Sequence, residues 1–135
     1  MPDELYPPPD ARLSRKRREL GPDTSSAFAA FSKQVFADGA LSARTKQLIA
    51  VAVAHVTQCP YCIRGHTRGA LRSGASEAEI MEAIWVAAEM RAGGSFAHSI
   101  IALSEMEEID GSQASLHGSG EAGEHHVSRA DAVTP

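Results

Sequence analysis

Apolar positions recur at helical spacing through the middle of this chain, and no stretch shows the two-residue alternation of a half-buried strand. A first helix is predicted from Asp23 to Ala37, with Phe28, Phe31, Val35 and Phe36 as its apolar set and Gly39 ending it. A second begins at Ser42, a good N-cap, and runs to about Thr57. Between Leu48 and Val56 it is apolar on nearly every face, so it should be surrounded, by its own fold or by neighbouring subunits. A third starts at Pro60, where a missing N–H costs nothing, and runs to about Ser73, with Gly74 as its natural stop. Ser76 and Glu79 form a capping box that opens a fourth helix through Ile80, Ile84, Trp85 and Ala88. Gly93-Gly94 is expected to break or bend it, leaving a fifth segment from Ser95 to about Glu108 with Phe96, Ile100, Ile101 and Leu103. The fold class is therefore all-α, with short connections.

Both flanks read as poorly ordered. Residues 1–20 hold Pro7-Pro8-Pro9 and then Arg15-Lys16-Arg17-Arg18, a basic cluster read as a solvated face. Residues 111–135 are rich in Gly, Ser, Ala and His and lack apolar periodicity, so they bury too little surface to offset their ordering entropy. His117, His125 and His126 lie there and receive no role. The expected organisation is a flexible segment 1–20, a helical domain 21–110 and a disordered tail 111–135.

The 135 residues suffice for one domain with a single core. A formal net charge of −4 does not suggest a nucleic-acid partner. The opening Met1-Pro2-Asp3-Glu4 is acidic with no apolar run behind it, and the longest apolar run, Leu48 to Ala54, is far too short to cross a bilayer. A cytoplasmic protein without a membrane partner is the expectation. In that compartment a CxxC pair points to catalysis or metal binding more than to a structural staple.

The chain has two cysteines, in Cys59-Pro60-Tyr61-Cys62. The predicted helix start puts Cys59 at the N-cap and Cys62 in the first turn, where the helix dipole and free N–H groups favour a thiolate. His66 lies four residues after Cys62 on the same helix face and can take the thiol proton, directly or through a water. His55 precedes Cys59 by four residues, but the chain turns between them; His98 would approach only through tertiary packing. Three readings stay open on spacing alone. One is a redox pair that attacks a peroxide or disulfide and closes to a disulfide. Another is a zinc site of Cys59, Cys62, His66 and either His55 or His98. The third is two helix-start cysteines with no role.

The run from Ser42 to His66 resembles the carboxymuconolactone decarboxylase family, and within it the AhpD-like alkylhydroperoxidase branch. The likeness continues through Thr67-Arg68-Gly69-Ala70-Leu71, Gly74-Ala75 and the stretch from Ala87 to His98, covering roughly residues 25–108. It implies the all-helical AhpD-like fold, assembled as a homo-oligomer (trimers, or hexamers built from them). It implies thiol-dependent reduction of hydroperoxides, with a disulfide forming between Cys59 and Cys62 and an external dithiol or redox protein as reductant. No bound cofactor is required. By the same carry-over Cys62 attacks, Cys59 resolves, and His66 matches the histidine of the proton relay. The family relay has a glutamate twelve residues before the first cysteine; here that position is Gln47, which cannot accept a proton. His55 is a candidate substitute base. The non-enzymatic alternative is a helical oligomer that senses redox state or binds zinc. Lactone decarboxylation ranks last, because that branch is not built around this CxxC. Trp85, Phe96 and the aliphatics near Ile84 read as core or subunit interface, and Tyr61 as a shield for the disulfide or a lining of the entrance.

Overall fold

The computed structural model describes residues 6–8 and 10–118. Five helices follow one another: α1 Ala11–Leu20, α2 Pro22–Val35, α3 Ala43–Thr57, α4 Pro60–Arg72 and α5 Glu77–Gly118. Among the described residues there is no strand, so the all-α expectation holds.

Local chemistry sets most of the boundaries. Ser42 caps α3 by accepting from the Thr45 N–H at 3.1 Å. Ser76 and Glu79 form the predicted reciprocal box: the Glu79 N–H donates to Ser76 Oγ at 3.2 Å and the Ser76 N–H to Glu79 Oε2 at 2.8 Å. Gly74 takes a left-handed φ of 85°, and the following Ala75 N–H returns to the Ala70 carbonyl at 3.0 Å, which closes the end of α4.

The structure departs from the sequence reading at both flanks and at the glycine pair. Helix α1 occupies Ala11–Leu20, where an unordered segment was expected. The prolines stop short of it, Asp10 caps it by accepting from the Arg12 N–H at 2.7 Å, and strong helix formers fill it. Arg17 and Arg18 in its last turn complement the helix dipole. Helix α5 runs unbroken through Gly93-Gly94. Each glycine costs only about 1 kcal/mol in a helix interior, and the residues before the pair, Ala87 to Ala92, are good helix formers. The expected break at residue 94 is therefore absent, and the helix also continues past residue 110 to Gly118. The rest of the predicted tail, 119–135, lies outside the described residues, as do residues 1–5 and 9.

The chain divides into two compact units, Met1–Ala92 and Gly93–Pro135, so the glycine pair marks a unit boundary even though it does not end a helix. In the first unit, Val51 of α3, Ala70 of α4, Ala75 of the α4–α5 turn and Ile80 of α5 form the core, with Leu48 and Ile84 packed against it. Small residues at Ala70 and Ala75 let these elements approach closely, and Val51 is completely buried. Arg44 of α3 is hydrogen-bonded to Glu79 of α5 at the edge of this cluster. The α3 stretch expected to be surrounded is only half covered: Val51 and Ala54 are buried, whereas Ile49, Val53 and Val56 are exposed. In the second unit α5 presents Phe96, Ile100 and Ile101 to solvent.

Candidate thiol site

Thr57 ends α3 and Pro60 opens α4, and the turn between them builds the site. Gln58 adopts the left-handed conformation, φ 55° and ψ 43°, and its N–H donates to the Ala54 carbonyl. The Cys59 N–H donates to the same carbonyl at 3.1 Å. The last turn of α3 is thereby satisfied within a single residue of reversal. A residue with a side chain pays about 1–2 kcal/mol for this backbone. The result is that Cys59 arrives at the predicted N-cap position of α4, with an extended backbone.

Cys59 and Cys62 are joined in a disulfide, with Cα atoms 5.3 Å apart. Cys59 Sγ accepts the Cys62 N–H at 3.3 Å, so sulfur takes the place a serine or aspartate oxygen usually fills at an N-cap. On reduction this N–H favours the thiolate over the thiol, because it donates to the sulfur from the positive end of α4. Pro60 contributes no N–H and pre-sets the backbone of the first turn. Tyr61 is exposed between the cysteines, and Tyr6 meets it edge-on at 6.1 Å with rings 89° apart.

His66 lies a turn beyond Cys62 on the same face of α4. Its Nδ1–H donates to Gln47 Oε1 at 2.9 Å. An amide oxygen can only accept, so the proton sits on Nδ1 and the free lone pair on Nε2. Phe36 stacks on the ring at 5.0 Å between centroids and 29° between planes. The imidazole is thus held by a hydrogen bond in its plane and an aromatic face across it.

Each of these partners is placed by its own element. Gln47 precedes the buried Val51 by one turn of α3, on the stripe that faces α4. Phe36 caps the C-terminus of α2, where its N–H returns to the Ser32 carbonyl at 3.1 Å. The loop behind it is pinned at two points. Lys46 Nζ donates to the Ala37 carbonyl at 2.6 Å, and the Ala43 N–H donates to Asp38 Oδ1 at 2.7 Å.

The structure therefore brings Cys59 to Cys62, and Gln47 to His66. It ties His55 elsewhere: the His55 Nδ1–H donates to the Val51 carbonyl at 2.7 Å, within its own helix, and its carbonyl accepts from Arg91 Nη1 at 3.5 Å. His98 lies on α5 in the second unit. Among the described residues no group of three His, Cys, Asp or Glu side chains is placed to hold a metal ion. Phe36 entered the sequence reading only as an apolar residue of its helix. Tyr6 lay in a flank read as unordered. Neither carried a signal of its role, because both meet the site through tertiary contact.

The strongest electrostatic perturbation lies beside the core. The Glu79 carboxyl is lowered from 4.5 to about 2, first by its hydrogen bond from Arg44 and then by the Ser76 N–H. The same contact pushes the Arg44 guanidinium further up. A surface cavity of about 480 Å³ is lined by Arg17, Arg18, Thr24, Ser25, Phe28 and Ala29 of α1 and α2, and includes none of the thiol-site residues.

Residues 22–105 match the sequence profile of the Carboxymuconolactone decarboxylase family. The chain belongs to that family. The match begins at the first residue of α2 and ends within α5, so it contains every element that builds the thiol site and leaves α1 outside. The chain is 60% identical over 111 residues to the Paracoccus denitrificans protein called uncharacterized protein 4 in cox locus, covering 82% of this chain and 99% of that one. It is 33% identical to a carboxymuconolactone decarboxylase family protein of known structure from Legionella pneumophila, at a TM-score of 0.57, over 72% of this chain and 87% of that one. A Thermotoga maritima structure shares 27% identity at a TM-score of 0.55, over 87% of this chain and all 100% of its own. Within the carboxymuconolactone decarboxylase family the AhpD-like branch fits this chain's CxxC pair and following histidine.

Proposed function

We propose that the chain is a thiol-dependent peroxidase and disulfide oxidoreductase of the AhpD-like type. The observation that carries this reading is the Cys59–Cys62 pair, disulfide-bonded at the start of α4, with an oriented imidazole one turn further along the same helix. His66 Nε2 takes the Cys62 thiol proton. The Cys62 thiolate attacks the terminal oxygen of a hydroperoxide and breaks the O–O bond. The alkoxide leaves as alcohol with the proton from His66, and Cys62 becomes a sulfenic acid. The Cys59 thiol then displaces the hydroxyl, which leaves as water, and the disulfide forms. An external dithiol, or the dithiol of a redox protein, attacks Cys62 and releases Cys59 as thiolate. The Cys62 N–H at the cap makes Cys59 a good leaving group in this last step. Gln47 holds the ring without serving as a base, and His55 stands as a reserve base whose Nε2 is the available nitrogen.

The same reading makes the protein a homo-oligomer, a trimer or a hexamer built from trimers. Exposed Ile49, Val53 and Val56 on α3 support it, since a row of apolar side chains along one helix is suited to a partner helix. Sedimentation equilibrium that returned a monomer at micromolar concentration would remove this part of the assignment.

The test of function is a thiol count on the reduced protein before and after one equivalent of an organic hydroperoxide. Loss of both thiols within seconds, with one alcohol formed per disulfide, is the expected result. Two thiols that survive the dose would end the peroxidase reading.

A further inference from the structure

We infer that Gly69 is a positioning residue for the thiol site, acting by the space it leaves for Gln47. It sits in the last turn of α4, one turn beyond His66, and is buried. Its backbone is not the reason for a glycine there: the positive-φ glycine among the described residues is Gly74. A glycine inside a helix is less stable than alanine, so α4 gives up helix stability at this position. What the missing side chain supplies is room. A Cβ at 69 would lie 2.5 Å from Gln47 Oε1, 2.8 Å from its Cδ and 3.1 Å from its Nε2. Those are the atoms of the amide whose oxygen accepts the His66 Nδ1–H. Any side chain at 69 therefore displaces the group that fixes the imidazole.

The collision is with the far end of a flexible side chain and involves no backbone. The amide can swing away, so the fold should tolerate alanine at 69 while the Gln47–His66 bond is lost. The nearest heavy atoms to the added carbon belong to Gln47, which makes the effect specific to the site. The mechanistic weight of this inference rests on the peroxidase reading, but its test does not.

Nitrogen NMR on isotope-labelled imidazole reads which ring nitrogen of His66 carries the proton. Wild type should show the Nδ1–H tautomer. Gln47→Ala should move the ring toward the Nε2–H tautomer that free imidazole side chains favour. Gly69→Ala and Gly69→Ser should give the same shift, with a thermal midpoint for Gly69→Ala held or raised by the better helix former. The double variant Gly69→Ala/Gln47→Ala, which has no amide to displace, should match Gln47→Ala alone. It also supplies a folded reference if the single Gly69 variant loses stability. A Gly69→Ala protein that keeps the Nδ1–H tautomer would overturn the inference. So would a Gln47→Ala protein that keeps it. A tautomer shift in a chain whose thiols resist hydroperoxide would support the positioning role and discard the peroxidase reading.

Discussion

Replacing Gln47 by glutamate puts a carboxylate where an amide now accepts the His66 Nδ1–H at 2.9 Å. The two side chains have the same length and shape, and Gly69 leaves the same room for either. Only the charge changes. A neutral hydrogen bond contributes about 0.5–1.5 kcal/mol net, and one to a charged group about 1.5–3 kcal/mol. When His66 Nε2 takes the Cys62 proton the ring becomes a cation. That cation makes a charge-assisted bond to either acceptor, and the carboxylate adds an ion-pair attraction that the amide lacks, up to about 1 kcal/mol. Since about 1.4 kcal/mol is a factor of ten, Gln47→Glu should speed peroxide oxidation of the reduced pair by up to about fivefold. The assay is rapid mixing of fully reduced protein with excess organic hydroperoxide, quenched and read as free thiol, near neutral pH. Gln47→Ala serves as the variant with no acceptor. A Gln47→Glu rate at or below wild type would refute the claim that charge at this position limits proton transfer, and the base would then be His55 or a water.

Two further outcomes concern the frame around the site. Gln58→Gly relieves a left-handed residue that carries a side chain; the relief of about 1–2 kcal/mol exceeds the added backbone entropy of about 0.5–1 kcal/mol. It should therefore raise the free energy of unfolding by about 0.5–1 kcal/mol in urea titration, and a fall would mean that the Gln58 side chain itself holds the turn. Glu79 has a folded-state pKa of about 2 against 4.5 unfolded, so its contribution to stability is present above pH 4.5 and is lost as pH falls through about 2. Wild type should lose thermal stability across that window, and Glu79→Gln should be less stable at neutral pH with a flatter acid limb; superimposable acid limbs would contradict the linkage.

Much of the first unit was legible because its signals are local. Ser42, the Ser76–Glu79 box, Gly74 and the Cys59-Pro60 start each act within one helical turn, and each appears where the spacing put it. The misreadings have local causes too. Pro7, Pro8 and Pro9 exclude a helix only up to residue 9; Asp10 and the helix formers after it are sufficient to start α1. Gly93-Gly94 reads as a break or a bend, and α5 continues through it, because each glycine costs a helix only about 1 kcal/mol. In the site, the helical repeat put Cys62 and His66 on one face. It did not show that Phe36 would stack on His66, nor that Gln47 would lie against Gly69. Those contacts join α2, α3 and α4, and depend on how Val51 packs on Ala70. A single sequence carries no periodicity that encodes them.

The placement of the disulfide argues for its use in a cycle. A bond that closes so short a loop removes little freedom from the unfolded chain, about 2 kcal/mol on the loop-entropy account. The core of the first unit lies away from it, in Val51, Ala70, Ala75 and Ile80. Nor does the start of α4 depend on the bond, because Pro60 and the Cys62 N–H to Cys59 Sγ contact set it locally. Reduction should therefore leave the fold intact and lower the thermal midpoint by less than about 10 °C, given a few degrees per kcal/mol for a domain of this size. Circular dichroism melts with and without a dithiol, at a fixed protein concentration, measure the shift. A collapse of helical signal on reduction would make the pair a staple; a thiol pair that must open in every turnover cannot also hold the domain together.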